Sequence, residues 1–303
     1  MRVLIVGCGY VGSPLGAELV RLGHEVVGLR RSTSAENELK TAGIKPLIAD
    51  ITQPETLTKL PCGFDWVVHC VSSTGGNAED YRQVYLQGTC NLIAWLSTNP
   101  PKKLVYTSST SVYGQTDGSQ VKETSPAEPA AETAKVLVET EKLLLTAVAD
   151  RKIPVVILRV AGIYGPDRGY WFKQFLKNEA RIEGDGSRFL NMIHRDDLIG
   201  CIIAALKNGR AGEIYNAVDD EPVSQANFFQ WLAATVGKYP PPSVPENPAE
   251  NRKRGVTNKR VLNRRLKMEL GYQFKYPNFR KGYTAEILRL ERAGELHVAP
   301  DER

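Results

Sequence analysis

The chain has 303 residues, of which 42% are hydrophobic and 24% are charged, and this composition is typical of a soluble globular protein. No apolar run approaches the roughly 20 residues that span a bilayer, and the N-terminus lacks a secretory signal, so we expect a cytoplasmic protein without membrane contact. The five cysteines form no CxxC pair and no cluster with histidine, which argues against a disulfide framework and against a bound metal.

Short β-rich runs alternate with helical patterns along most of the chain. The runs are apolar throughout, and the segments between them carry apolar residues at helical three-to-four spacing. We predict strands at residues 2–7, 24–29, 45–50, 65–71, 103–108, 154–160 and 212–219. Such strands, separated by helices, are typical of a parallel sheet covered on both faces. We therefore predict an α/β fold with a doubly wound parallel Rossmann sheet.

A glycine turn follows the first predicted strand and opens a helix, with the pattern G-x-G-x-x-G at Gly7, Gly9 and Gly12. Gly7 permits the tight turn, Gly9 lets the backbone approach a pyrophosphate, and Gly12 allows the helix to pack closely on the strand. The helix N-terminus attracts negative charge. This context favours a dinucleotide site over a merely structural loop, and Tyr10 and Val11 are expected to contact the cofactor.

The second predicted strand ends in Arg30, Arg31 and Ser32, where an NAD enzyme carries an aspartate or glutamate. Guanidinium groups and hydroxyls bind a 2′-phosphate that a carboxylate would repel. We therefore predict NADP as the cofactor, with NAD as the alternative. Two solvated arginines are the competing interpretation.

Two further strand ends are expected to meet the cofactor. Asp50 and Ile51 close the third strand, where they could contact the adenine. Val71, Ser72 and Ser73 follow the fourth strand, and we expect them beside the ribose or the pyrophosphate.

After Gly165 the regular alternation ends. We expect an NAD(P)-binding Rossmann domain of residues 1–164 plus 193–219. A smaller C-terminal substrate-binding lobe would comprise residues 165–192 plus 220–303.

A basic run occupies residues 251–267, with eight basic residues and no acidic one. A solvated helix face is the default interpretation, and a groove for a phosphorylated small molecule is another. Nucleic-acid binding ranks last, because the run has no interleaved aromatics and no recognised nucleic-acid motif.

The chain resembles the extended short-chain dehydrogenase/reductase family, also called the NAD-dependent epimerase/dehydratase family, nearly end to end. Besides the glycine turn, the motifs that carry the resemblance are "VVHCVSS" at 67–73, "SSTSVYG" at 108–114, "LRVAGIYGP" at 158–166, "HRDDL" at 194–198, "IYNAVDDEPVS" at 214–224 and "NKRVLNRRLKMELGY" at 258–272. The pattern is most similar to the atypical YeeZ-type branch, in which the catalytic tyrosine motif is disrupted.

The resemblance implies catalytic roles for two residues. Ser109 would hydrogen-bond the reacting substrate oxygen, and Lys135 would hold the nicotinamide ribose. In the family, a tyrosine four residues before this lysine acts as the acid or base. Ala131 stands at that position and has no proton to give.

Several groups are candidates to replace the missing tyrosine. Tyr113 and Tyr164 could reach the nicotinamide from another side, although such residues are more often structural or flank the cofactor. Glu123 or Glu132 could act as a base, and a relay through Ser109 and Lys135 is the third alternative. Tyr164 and Arg168 are also expected to contact the substrate.

We therefore expect an NAD(P)-dependent oxidoreductase or epimerase with an altered catalytic tetrad, present as a monomer or a homodimer. Its substrate would be a small polar molecule, phosphorylated or nucleotide-linked. The alternative is a catalytically silent NADP-binding protein that senses redox state or regulates a partner. Intact cofactor motifs beside an absent tyrosine agree with either function.

Overall fold

The computed structural model describes residues 1–73, 76–245 and 256–296. A seven-stranded parallel sheet forms its centre. The strands of this sheet are β1 (Arg2–Val6), β2 (Glu25–Arg30), β3 (Lys45–Ile48), β4 (Trp66–His69), β5 (Lys103–Ser109), β7 (Val155–Val160) and β12 (Ile214–Ala217). Two-residue or three-residue strands make four small pairs, and these strands are β6 (Gln120–Val121), β8 (Gly162–Tyr164), β9 (Ile182–Glu183), β10 (Phe189–Leu190), β11 (Met192–His194), β13 (Val223–Ser224), β14 (Ser243–Val244) and β15 (Arg260–Val261).

The strand order of the sheet is β12-β7-β5-β4-β1-β2-β3, which confirms the predicted doubly wound α/β fold. In the register, Leu4 of β1 lies opposite Val27 of β2 on one side and Val67 of β4 on the other. The chain leaves β1 toward one edge and later returns toward the other. The carboxyl ends of β1 and β4 therefore flank the crevice where this type of sheet binds ligands.

Helices cover both faces of the sheet. The helices of the described residues, including those that lie away from the sheet, are α1 (Gly12–Arg21), α2 (Glu36–Thr41), α3 (Pro54–Leu57), α4 (Ala78–Tyr81), α5 (Gly88–Leu96), α6 (Glu132–Asp150), α7 (Tyr170–Leu176), α8 (Arg195–Asn208), α9 (Gln225–Val236), α10 (Arg264–Leu270) and α11 (Phe279–Arg292). A π-helical segment, Arg82–Gln87, joins α4 to α5. Among the described residues, none of the helices combines the length and the apolar content that crossing a bilayer requires.

In the part of the chain that the structure describes, the apolar core consists of three clusters. Alternate residues of each strand point to opposite faces of the sheet, so Val3 and Ile5 belong to one cluster whereas Leu4 and Val6 belong to another. The third cluster is rich in aromatic residues and lies away from the sheet, with members such as Phe228, Phe229, Phe279 and Tyr283.

The third cluster supports the predicted smaller lobe, whose boundaries stay a prediction. One segment of the predicted lobe packs elsewhere. Leu266 and Leu270 of α10 belong to the cluster that covers the sheet, where α10 contacts α8 and β12. An amphipathic helix packs where its apolar face can be buried, and the apolar face of α10 is buried against the sheet cluster.

Candidate functional site

A cleft of about 1140 Å³ opens where the strands β1, β2, β4 and β5 end, and we call it the main cleft. Nearly all of the predicted cofactor residues line it, namely Gly7, Gly9, Tyr10, Val11, Arg30, Arg31, Ser32, Asp50, Ile51, Val71, Ser72 and Ser73. The carboxyl ends of parallel strands meet at one edge of a sheet, so separate loops of the chain converge there.

The three glycines of the turn are required for different reasons. Gly7 has φ +103°, and a Cβ atom on it would stand 2.8 Å from the backbone nitrogen of Val71. A Cβ on Gly12 would stand 2.3 Å from the carbonyl oxygen of Gly7. A Cβ on Gly9 would meet no protein atom within 4 Å. Close contacts with the protein backbone therefore exclude a side chain at Gly7 and Gly12, whereas the absence of a side chain at Gly9 leaves open space in the main cleft.

The turn also presents unpaired backbone donors. In the described part of the chain, the N–H groups of Tyr10 and Val11 donate to no protein acceptor, and no side chain caps the N-terminus of α1. Free amides at a helix N-terminus attract an anion. With the open space above Gly9, these donors fit the pyrophosphate of a dinucleotide.

The end of β2 carries two cations without acidic partners. Across the described residues, the guanidinium groups of Arg30 and Arg31 make no ion pair and no hydrogen bond, although both line the main cleft. Ser32 caps the following 3₁₀ turn by accepting a hydrogen bond from the Ser34 amide at 3.1 Å. The Asp50 carboxylate binds a neighbouring residue, since its Oδ1 accepts hydrogen bonds from the Thr52 amide and hydroxyl.

Tyr10 connects the glycine turn to the loop that follows β8. Its hydroxyl donates a hydrogen bond to the Pro166 carbonyl at 2.9 Å. The guanidinium carbons of Arg168 and Arg195 lie 4.9 and 5.3 Å from the centre of its ring. Burial raises the pKa of Tyr10 to about 12, so the phenol stays protonated at neutral pH. Arg168 lines the main cleft and therefore stands beside the predicted cofactor residues rather than in the second pocket described below.

A smaller pocket of about 300 Å³ adjoins the main cleft, and we call it the adjoining pocket. Ser109 lines both spaces, as do Gly162, Ile163 and Trp171. The Ser109 hydroxyl accepts a hydrogen bond from the Ser111 amide at 3.2 Å, which holds it at the end of β5. The predicted catalytic serine therefore stands where the two spaces meet.

Helix α6 places Lys135 outside both spaces, so its predicted ribose role stays a prediction that this geometry does not favour. The Lys135 ammonium pairs with the exposed carboxylate of Glu132 at 2.6 Å, and Lys135 is not among the residues that line either space. Leu137 lines the main cleft instead. Thr133, one helical turn before Leu137, shares its buried face, whereas Lys135 lies about 200° around the helix from both residues.

Tyr113, predicted as a catalytic residue, is structural. It is fully buried and lines neither space, and its hydroxyl donates to the Asn216 side chain at 2.8 Å. Its ring lies 4.8 Å from the Arg159 guanidinium carbon. A side chain that is enclosed in this way cannot reach a substrate in either space.

Tyr164 lines the adjoining pocket, as predicted for a substrate contact, but its ring is buried and stacks on Tyr283 with 4.3 Å between ring centres. Burial raises its pKa well above the ordinary value. Its role in substrate binding stays a prediction. Ala131 precedes α6 as its N-cap residue and offers only its carbonyl, which accepts hydrogen bonds from the amides of Ala134 and Lys135.

Several cleft residues have no counterpart in the sequence predictions. Tyr81 and Tyr85 reach the main cleft from the π-helical region, and the Tyr85 hydroxyl accepts a hydrogen bond from the Ser73 amide at 3.2 Å. π-Helical segments are frequent at functional sites, but this one has no distinct sequence signal. Arg188 and Lys259 line the adjoining pocket. Lys259 belongs to the basic run and was not distinguished from its neighbours.

The basic run is only partly described, because residues 251–255 lie outside the described ranges. Within the remainder, Arg265 pairs with Glu213 at 2.5 Å, and Lys267 pairs with Asp220 at 3.0 Å. In residues 1–73, 76–245 and 256–296, no three His, Cys, Asp or Glu side chains are grouped in a way that could hold a metal ion.

Comparison with known proteins agrees with this geometry. The model of the NAD dependent epimerase/dehydratase family matches residues 3–217, which is more than half of the chain. The chain belongs to this family. The match includes the glycine turn, the end of β5 and the whole of α6.

Relatives in the family include proteins of different activity. Protein YeeZ of Escherichia coli strain K12 is 28% identical over 91% of this chain and 97% of its own length. A 2-alkyl-3-oxoalkanoate reductase of Stenotrophomonas maltophilia is 29% identical over 78% of this chain and 76% of its own. The solved structure of DesIV, a dTDP-glucose 4,6-dehydratase from Streptomyces venezuelae with NAD and TYD bound, superposes with a TM-score of 0.82. DesIV is 23% identical to this chain, and the superposition covers 97% of each chain, so it shows the shared fold.

Proposed function

We propose that this protein is an NADP-preferring oxidoreductase or epimerase that holds its cofactor in the main cleft and a small polar substrate in the adjoining pocket. The observation that carries the proposal is the position of Ser109 on the border between the two spaces. A hydroxyl at that border can bind a substrate oxygen while the reacting carbon faces the cofactor. Reductases among the relatives support redox chemistry of this kind.

The proposed preference for NADP depends on Arg30 and Arg31, whose guanidinium groups have no acidic partner in the described structure. A 2′-phosphate would supply the missing negative charge, and guanidinium forks bind phosphate at two points. The substrate is proposed to carry a phosphate or another anionic group, because the cation Arg188 lines the adjoining pocket and none of the lining residues is a carboxylate.

Fluorescence titration with NADPH and NADH tests the cofactor assignment. We expect NADPH to bind at least tenfold more tightly, and we expect the double variant Arg30→Ala/Arg31→Ala to lose this preference. Arg21→Ala is the matched control, since Arg21 pairs with Glu18 on the exposed face of α1. Tighter binding of NADH by the wild-type protein would refute the NADP assignment.

The second candidate is a catalytically silent NADP-binding sensor or regulatory protein. The observation in its favour is that α6 presents Thr133 and Leu137 on its buried face, neither of which is an effective proton donor. Consumption of NADPH with a panel of aldehydes, ketones and 2-oxo acids separates the two functions. Turnover that falls in Ser109→Ala supports the enzyme, whereas tight NADPH binding without turnover supports the sensor.

The proposal includes a cytoplasmic protein that acts as a monomer or a homodimer and binds no nucleic acid. Sedimentation velocity of the purified chain, with and without NADPH and a random DNA duplex, measures the oligomeric state and the binding of nucleic acid. A larger assembly or co-sedimentation with the duplex would contradict this part of the proposal.

A further inference from the structure

Lys259 is a buried lysine in the adjoining pocket, on the segment that leads into β15. Its side chain is only 4% exposed, and the pocket that it lines also contains Ser109. The ammonium donates one hydrogen bond to the Tyr113 carbonyl and another to the Thr257 hydroxyl, each at 2.8 Å. Both acceptors are electrically neutral. Neither of these two partners therefore compensates the charge of the lysine.

One N–H of the Lys259 ammonium donates to no acceptor in the described residues. A lysine has three donors, and within the described structure Lys259 uses two of them. The charged or ionisable groups that share the pocket are Arg188, Tyr164 and Tyr283, and none of its lining residues is a carboxylate.

The charged and ionisable side chains of the elements around Lys259 include Tyr113, Arg159 above the Tyr113 ring, and Arg260, which donates to the Gly118 carbonyl. Two carboxylates of neighbouring segments have other partners, since Glu123 accepts a hydrogen bond from the Asn216 amide at 2.9 Å and Glu183 lies 3.8 Å from the Arg188 guanidinium. Burial without an anionic partner disfavours the charged amine and lowers the pKa of Lys259 to about 8. The amine therefore loses and regains a proton close to neutral pH.

The reaction proposed above needs a proton donor that the usual position does not supply. The buried face of α6 carries Thr133 and Leu137, Ala131 has no acidic proton, and Tyr113 is enclosed. Ser109 can hydrogen-bond an oxygen, but a serine hydroxyl is a poor acid. In the adjoining pocket, Lys259 combines an uncommitted proton with a position beside the same substrate space.

We propose that Lys259 is the general acid and base of this protein, acting on the reacting oxygen that Ser109 binds. This inference rests on the proposed function. In the reducing direction, the Lys259 N–H bond breaks and an O–H bond forms on the substrate carbonyl oxygen. The carbonyl carbon receives a hydride, the two-electron reductant being a reduced nicotinamide dinucleotide. The neutral amine then recovers its proton from water, and the reverse direction uses the neutral amine as the base.

Three variants test this role against a purely electrostatic one. With the carbonyl compound that wild-type protein reduces fastest in the panel, we expect Lys259→Gln to slow turnover by about 10² to 10⁴-fold. Lys259→Arg keeps the positive charge but cannot give up its proton near neutral pH, so we expect an equally slow reaction. Arg260→Gln is the matched control on the neighbouring residue and should retain wild-type turnover. Wild-type turnover in Lys259→Arg would overturn the proposal, because charge alone would then suffice.

The pH profile adds a readout that a structural role would not affect. Reduction requires protonated Lys259, so we expect a wild-type rate that is constant below about pH 8 and falls tenfold for each unit above it. The residual rate of Lys259→Gln should lack this fall. The NADPH affinity should stay within twofold of wild type in both Lys259 variants, because Lys259 does not line the main cleft. A fall at pH 8 that persists in Lys259→Gln would overturn the assignment.

Nuclear magnetic resonance of protein labelled with [ε-¹³C]lysine measures the titration of Lys259 independently of turnover. We expect one lysine signal with a midpoint near pH 8, absent from Lys259→Gln and, as a second assignment, from Lys259→Arg. A Lys259 midpoint above pH 10 overturns the proposal. Failure of the protein to bind NADPH would instead refute the proposed function, and the two failures are thus distinguishable.

Discussion

Arg159 of β7 and Glu141 of α6 form a buried ion pair, with Nη2 and Oε2 separated by 2.7 Å and side chains 6% and 4% exposed. The hydroxyl of Ser108 donates to the other oxygen of this carboxylate at 2.6 Å. The pair therefore fastens α6 to β7 and to the end of β5, where Ser109 follows. It sets the distance between the serine and the helix face that borders the main cleft.

Removal of one partner of this pair should destabilise the fold. Arg159→Met leaves the Glu141 carboxylate buried without its cation, and we expect the free energy of unfolding to fall by about 3–5 kcal/mol. Urea unfolding at pH 7 measures this loss. The exposed pair of Arg82 and Glu139, 2.8 Å apart, is the control, and Arg82→Ala should change stability by less than about 1 kcal/mol. An equal effect of the two substitutions would contradict the structural role of Arg159.

Gly9 and Gly12 should respond differently to the same added methyl group. Gly9→Ala places the methyl in open space, so we expect an unchanged unfolding midpoint with dinucleotide affinity reduced at least tenfold. Gly12→Ala places it 2.3 Å from the Gly7 carbonyl oxygen, so we expect a loss of stability as well. Thermal unfolding and NADPH titration of both variants check these outcomes. Undiminished NADPH binding by Gly9→Ala would show that the cofactor does not approach this turn.

The orientation of α6 leads to a prediction about Lys135. Lys135→Ala should leave NADPH affinity and turnover within twofold of wild type, because the side chain pairs with Glu132 on the exposed face of the helix. Leu137→Ala removes an apolar contact at the main cleft, and we expect about tenfold weaker NADPH binding, equivalent to about 1.4 kcal/mol. A strong loss of NADPH binding in Lys135→Ala would instead support the ribose role implied by the family.

His69 should make the fold sensitive to mild acid. It is fully buried in β4 beside the Thr89 hydroxyl at 2.8 Å, and burial lowers its pKa to about 3. The unfolded chain has a histidine pKa near 6.5, so it binds the proton more readily. The contribution of neutral His69 to the free energy of unfolding is complete above pH 6.5. It is lost as the pH falls from 6.5 toward 3, by up to about 1.4 kcal/mol per pH unit.

Unfolding by urea at several pH values between 5 and 7 tests this dependence. The difference between wild type and His69→Gln cancels the contribution of the carboxylates, and we expect the steeper slope in the wild-type protein. Parallel slopes would show that His69 takes up its proton equally well in the folded chain.

The sheet and the position of the glycine turn were predictable because both depend on local patterns. Apolar runs with turn residues between them predict strands such as β1 and β4 within one or two residues, and the glycine turn has a fixed relation to the strand before it. The role of Lys135 was not predictable from its spacing to Ala131. Alignment to a motif does not define the rotation of a helix, and the buried residues of α6 set that rotation.

The sequence by itself determined the α/β class, the family and the residues of the glycine turn, since each follows from neighbours in the chain. Tertiary structure decided that Tyr113 is enclosed and that Lys259 lies in the same pocket as Ser109. Lys259 comes from the basic run at residues 251–267, whose composition does not distinguish it from Lys267. Lys267 pairs with Asp220, whereas folding buries Lys259 between neutral hydrogen-bond acceptors, and this burial lowers the pKa of Lys259 to about 8.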